Sequence, residues 1–211
     1  MNLRIKAIFI VVVIVLFSMS SGCSRKSQVV NVSIDGVDFQ LGCKVSSIID
    51  AGFQIGESDH FRSVYYMELP TVKAKTSLEC YIFKDFVPSH VGIFVYNSTD
   101  HNVELTECIV YMFQYDCGEY ISNEIECLNV RFNGIDFHFS DCKQIIKSLE
   151  HQGFRFNKEE KKEFLAKDNS DVDLYLNGNY REVYQVTICN IYDRKSDSRL
   201  ISGFVISIKL D

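Results

Sequence analysis

The nonapeptide Asn31-Val-Ser-Ile-Asp-Gly-Val-Asp-Phe39 returns as Asn129-Val-Arg-Phe-Asn-Gly-Ile-Asp-Phe137, with Asn, Val, Gly, Asp and Phe in the same places. More matched blocks follow in the same order. Ala51-Gly-Phe53 pairs with Gln152-Gly-Phe154, Glu79-Cys-Tyr-Ile82 with Asp173-Leu-Tyr-Leu176, and Val95-Tyr-Asn-Ser-Thr-Asp100 with Ile188-Cys-Asn-Ile-Tyr-Asp193. Ordered self-similarity at one long period means that one unit is used twice. The chain therefore reads as repeat 1 over residues 29–116, a linker over 117–126 and repeat 2 over 127–211.

Each repeat can be built from its own residues. Asp35-Gly36 and Asn133-Gly134 sit between alternating apolar runs, and both dipeptides accept the positive φ that a two-residue type I′ turn needs, so a β-hairpin opens each unit. In the second unit Ser140 and Asp141 are placed to cap a helix whose stripe is Cys142, Ile145, Ile146 and Leu149, ended by Gly153. The first unit has a shorter version, with Val45, Ile48 and Ile49 before Gly52. Strands are then expected at 53–55 or 154–156, 78–83 or 172–176, 90–96 or 184–189, and 108–115 or 204–210. Val91, Ile93 and Val95, like Val186 and Ile188, alternate as strands with one covered face do. The expected fold class is α+β: two homologous repeats, each a β-hairpin, a short α-helix and an antiparallel sheet.

Ahead of the repeats, Arg4 and Lys6 precede an apolar run from Ala7 to Phe17, which stops at Ser20-Ser-Gly-Cys23. A basic start, a short apolar core and small residues are the parts of a secretory signal peptide, and the run is too short to span a bilayer. The segment resembles the lipobox of bacterial lipoproteins, although that family usually has an aliphatic residue where Ser20 stands. The resemblance implies a signal peptide over 1–22, a diacylglycerol on Cys23, a tether over 23–28, and an extracytoplasmic location on the cell membrane. Two acyl chains are what stable anchoring takes. Removing residues 1–22 takes away two of the 22 Lys+Arg and none of the 28 Asp+Glu, which leaves a net charge of −8. Phosphate binding needs concentrated cations, so nucleic acid is not an expected partner.

A second resemblance covers nearly the whole mature chain. The Asp-Gly hairpin, the short helix ending in Gly-Phe, the Glu68-Leu69-Pro70 turn, and Asn97-x-x-Asp100 before Leu105-Thr-Glu-Cys108 together look like the tandem-repeat lipoproteins of low-GC Gram-positive bacteria. Those motifs are turns and core positions, and most members have no known function. The resemblance therefore implies no catalytic residue. A more distant likeness, of architecture alone, is to the helix-on-sheet repeats of β-lactamase inhibitor proteins.

Seven cysteines follow Cys23, and export places them where disulfides persist. Cys43 at the start of the first helix and Cys108 entering the last strand of repeat 1 are the preferred pair, against two separate buried thiols. Cys117 and Cys127 bracket the linker and could close it. Cys142 lies at a helix N-terminus, where a thiolate is favoured, but it continues the apolar stripe. No Cys-x-x-Cys occurs and no histidine stands at ligand spacing, so no metal or cofactor is expected. Asp168-Asn-Ser-Asp-Val-Asp173 lacks the Gly and Glu of a calcium loop and is expected to be a polar turn. Lys158-Glu-Glu-Lys-Lys-Glu163 reads as a solvated face or short helix, and Asn97-Ser-Thr99 matches a glycosylation sequon. The expected function is a non-catalytic binding or structural module at the cell envelope, with an unidentified envelope protein or small ligand as partner. A thiol-dependent envelope enzyme and a small solute-binding lipoprotein are the alternatives.

Overall fold

The computed structural model describes residues 30–58, 64–66, 68–85, 87–116, 128–137, 141–166, 174–180, 183–193 and 198–208. It is an α+β structure of helices and antiparallel sheets. Strands β1 (Asn31–Ile34) and β2 (Val37–Gln40) form the first hairpin, and β10 (Val130–Phe132) and β11 (Ile135–Asp136) the second. Both turns are left-handed at both central residues: Asp35 and Gly36 at φ 51° and 81°, Asn133 and Gly134 at 47° and 74°. That conformation is the one Asp-Gly and Asn-Gly tolerate best. The hairpins join through β1 and β10 into a four-stranded sheet in the order β11-β10-β1-β2.

Each hairpin leads into a helix that lays its apolar stripe on the core. Helix α1 (Val45–Asp50) buries Val45 and Ile48. Helix α2 (Cys142–His151) buries Cys142, Ile145, Ile146 and Leu149, and its N-cap is Asp141, whose carboxylate accepts the Gln144 N–H at 3.0 Å. Gly52 (φ 89°) and Gly153 (φ 97°) end the two helices in the left-handed conformation. A third helix, α3 (Lys158–Phe164), is capped by Asn157, which accepts the N–H groups of Glu159 and Glu160. The charged run therefore forms a helix, tied to α2 by the Lys161–Glu150 ion pair.

The remaining long strands make one nine-stranded antiparallel sheet: β12 (Arg155–Phe156), β13 (Leu174–Tyr180), β14 (Tyr184–Asp193), β15 (Ser198–Ile208), β9 (Ile109–Asp116), β7 (Val87–Tyr96), β6 (Ser77–Lys84), β3 (Gln54–Ser58) and β4 (Val64–Tyr66), in that order. From the β9–β15 junction, β9, β7, β6 and β3 run outward on one side, and β15, β14, β13 and β12 on the other. Two short strands, β5 (Thr71–Val72) and β8 (Val103–Glu104), pair separately.

The core lies between the helix-bearing layer and one face of the large sheet. Phe132 stacks on Phe204 of β15 (5.4 Å between centroids, 29° between planes), while Phe137 and Phe154 approach the same group at 5.0 and 5.6 Å. Each such ring, fully buried, contributes roughly 1.5–3 kcal/mol by leaving water. Aromatics thus join the hairpin layer to the sheet, in a chain with sixteen Phe and no Trp.

Candidate functional site

Sequence spacing makes the cysteines candidates for a disulfide or a reactive thiol. Lys44 bridges Ile109, the Val45 N–H donates to the Cys108 carbonyl, and the Val110 N–H donates to the Cys43 carbonyl. Cys43 therefore stands opposite Val110, and Cys108 opposite Val45. The expected Cys43–Cys108 disulfide is corrected: both are free thiols. The reason is register, since diagonal neighbours sit about 7–8 Å apart whereas a disulfide needs Cα atoms within roughly 4.4–6.8 Å. Burial pushes the Cys43 thiol up to about 11. Burial first, and then Cys108, Glu79 and Glu57, push Cys80 up to about 12. Cys108 is raised by burial and by Glu107. A nucleophilic thiol needs the opposite shift.

Cys142 is buried in the α2 stripe, so its helix-terminal position serves packing. Cys23, Cys117, Cys127 and the Asp168–Asp173 run lie outside the described residues. His101 and His151 are exposed, and no group of three or more His, Cys, Asp or Glu among the described residues could hold a metal ion. Among those residues, too, no helix is long and apolar enough to cross a membrane.

Asn97 is not an open sequon. It is 1 % exposed, and its Nδ2 donates to the carbonyls of Val72, Lys73 and His101 at 3.0, 3.1 and 2.8 Å. Its Oδ1 accepts from the N–H and hydroxyl of Thr99. The matched residue in the other half, Asn190, is fully buried and donates to the Phe164 carbonyl at 3.1 Å. Asn97 ties the segment around Val72 and Lys73 to the end of β7, and Asn190, inside β14, ties the last residue of α3 to that strand.

The outer face of the large sheet is a surface that both halves build together. Side chains alternate along a strand, so the buried Cys80, Ile82, Ile93, Phe113 and Ile206 turn their neighbours outward. Register lines up Asn179, Gln185, Ser207, Met112 and Phe94 in one row. The next row is Asn177, Thr187, Val205, Gln114, Gly92 and Tyr81. Asn177, Asn179 and Gln185 are exposed, and the other side chains are partly exposed. One edge of the Tyr81 ring covers Gly92, where an added Cβ would stand 3.4 Å from the ring. Tyr81 donates its hydroxyl to Glu79 at 2.6 Å; burial, then that bond, raise its pKa and keep the proton on oxygen. Beside it Phe94 and Tyr111 meet edge to face at 6.4 Å. The sequence held a trace of this surface in the polar positions alternating with Val186 and Ile188, but only the register assembles it.

No protein-family model, no curated protein and no solved structure matches the chain.

Proposed function

We propose that this chain is a lipoprotein anchored through Cys23 on the outer side of the cell membrane, and that it acts there as a non-catalytic binding module made of two homologous repeats. The lipobox supports the anchor, and the matched blocks support duplication. So does the structure's reciprocity: the Asp35 N–H donates to the Asn129 carbonyl, and the Asn133 N–H to the Asn31 carbonyl. Asp35 and Asn133 correspond in the nonapeptides, as do Asn31 and Asn129. A self-complementary contact of this kind is the mark of a two-fold pair, here within one chain.

The observation that carries the binding reading is the outer face just described, a continuous surface that exists only because β9 of one half pairs with β15 of the other. The raised thiols speak against the thiol enzyme. Intact-mass measurement of the membrane fraction is the test of the anchor: a chain beginning at Cys23 with diacylglycerol attached is expected, and a Cys23→Ser variant should stay uncleaved or leave the membrane. An unmodified soluble chain would overturn it. For the binding reading, a cysteine of the folded chain that reacts with iodoacetamide at neutral pH as a low-pKa thiol would restore the enzyme.

A further inference from the structure

We infer that the outer sheet face is a docking strip for an uncharged, polyhydroxylated polymer, a neutral glycan lying across the strands. The inference rests on the binding reading above and names its ligand class. Across the six strands from β13 to β6, neither row carries a charge until Glu79 follows Phe94, and Arg155 precedes Asn179 at the other end. The chain as a whole is 24 % charged, so the strip is poorer in charge than the rest of the molecule. At the ordinary strand spacing it is about 24 Å long.

Charge complementarity picks the occupant. An anionic polymer would meet a mature chain of net charge −8 and find no cation within the strip, whereas a cationic partner would have to give up its hydration with no carboxylate in the middle to replace it. A neutral polyol loses neither. Asn177, Asn179, Gln185 and Gln114 each offer donors and an acceptor from one side chain, which suits hydroxyls that are themselves both. Tyr81, held down over Gly92, and the Phe94–Tyr111 pair supply ring surface for the C–H faces of a sugar. Glu79, whose Oε1 already accepts the Tyr81 hydroxyl, has lone pairs left for one hydroxyl at the end of the strip. Three of the four amides come from the second half, and Gln114 and the rings from the first, so a ligand that uses all of them crosses the β9–β15 junction.

The test is calorimetric titration of the full chain, in detergent micelles, with chitohexaose, cellohexaose and mannohexaose, and with polygalacturonate as the charged comparison. Saturable binding of at least one neutral hexasaccharide is expected, unchanged when salt is raised to about 0.5 M, where surface electrostatics are screened. Tyr81→Ala and Val205→Glu should each weaken it at least about tenfold and Gln114→Ala less, while Lys143→Ala on α2 leaves it unchanged. Circular dichroism and melting of each variant separate lost binding from lost fold. Failure to bind any neutral hexasaccharide, binding of polygalacturonate alone, or binding that survives every strip variant overturns the proposal. A protein captured through Tyr81 and Val205 with no glycan binding also overturns it. Cys23→Ser retains the strip, so its glycan binding and its membrane release report on the two readings separately.

Discussion

Ser33 faces Arg131 across the β1–β10 pair, and the two residues hold the same place in the two matched nonapeptides. Their neighbours pair crosswise, Val32 with Phe132 and Ile34 with Val130, as antiparallel pairing centred on Ser33 and Arg131 requires. The two hairpin turns share the same left-handed geometry and should respond alike. Gly36 and Gly134 both have positive φ, and a Cβ on either would meet nothing within 4 Å. The cost of Gly36→Ala or Gly134→Ala is therefore conformational alone, about 1–2 kcal/mol. Urea unfolding of the two variants should give similar losses, and a loss confined to one turn would show that the second hairpin is not pinned like the first.

A different outcome is expected where the halves share a residue but not its surroundings. Asn97→Ala would leave the Val72 and Lys73 carbonyls without the side-chain donor they use now, while His101 keeps the Thr99 hydroxyl, and Asn190→Ala would take the donor from the Phe164 carbonyl. A buried acceptor left unpaired costs about 1–3 kcal/mol. Both variants should lower the melting temperature, and an unchanged midpoint for Asn97→Ala would mean that water replaces the lost amide there.

The thiols set a pH dependence. In the unfolded chain a cysteine releases its proton near 9, while in the fold Cys43 holds its proton to about 11 and Cys80 to about 12. Between those values the unfolded state binds fewer protons, so stability falls as pH rises through that window. Below pH 9 these groups contribute no slope. Denaturant midpoints measured from pH 8 to 11 should fall above 9, and Cys80→Ser should flatten part of the fall. Iodoacetamide at pH 8 should modify these thiols quickly only after denaturant is added, and rapid reaction of the folded protein would contradict the burial.

Much of the architecture was legible because it is local. Asp35-Gly36, Asn133-Gly134, Gly52 and Gly153 act through their own backbone preferences, and the stripe Cys142, Ile145, Ile146, Leu149 declares its helix within a single turn's spacing. Strand ends were less clear: β7 begins at Val87 and β15 at Ser198, ahead of the apolar runs that suggested them, because pairing with one hairpin partner, β6 or β14, continues past the hydrophobic segment. The Lys158–Glu163 run left helix and loop open until Asn157 capped it. Nothing local distinguishes a diagonal pair of cysteines from a directly opposed one, so Cys43 and Cys108 could not be judged before the Lys44–Ile109 bridge fixed their register. The outer strip was hidden for the same reason, since Tyr81, Gln114 and Asn177 become neighbours only through strand pairing between residues far apart in sequence.

The junction that builds the strip has a sensitive point at Gly203. It pairs with Asp116, and a Cβ there would lie 2.3 Å from the Tyr115 carbonyl oxygen and 3.2 Å from the Asp116 Cα. Those atoms are backbone, held in β9 between β15 and β7, so no side-chain rotation relieves the clash. Gly203→Ala must push β15 from β9 locally, at a cost of about 1–3 kcal/mol. Gly92 is the matching control within the same sheet, because its Cβ would make only an ordinary 3.4 Å contact with the Tyr81 ring. An alanine there also restricts the unfolded chain, and that part of the effect is worth about 0.4–1 kcal/mol in favour of the fold. That restriction acts equally at Gly203 and cancels in the comparison, so chemical denaturation should separate the two substitutions by about 1–3 kcal/mol, the cost of the clash. Hydrogen exchange should place the loss from Gly203→Ala at the amides of β9 and β15, and unchanged protection there would mean that the two halves are not held together through this pair.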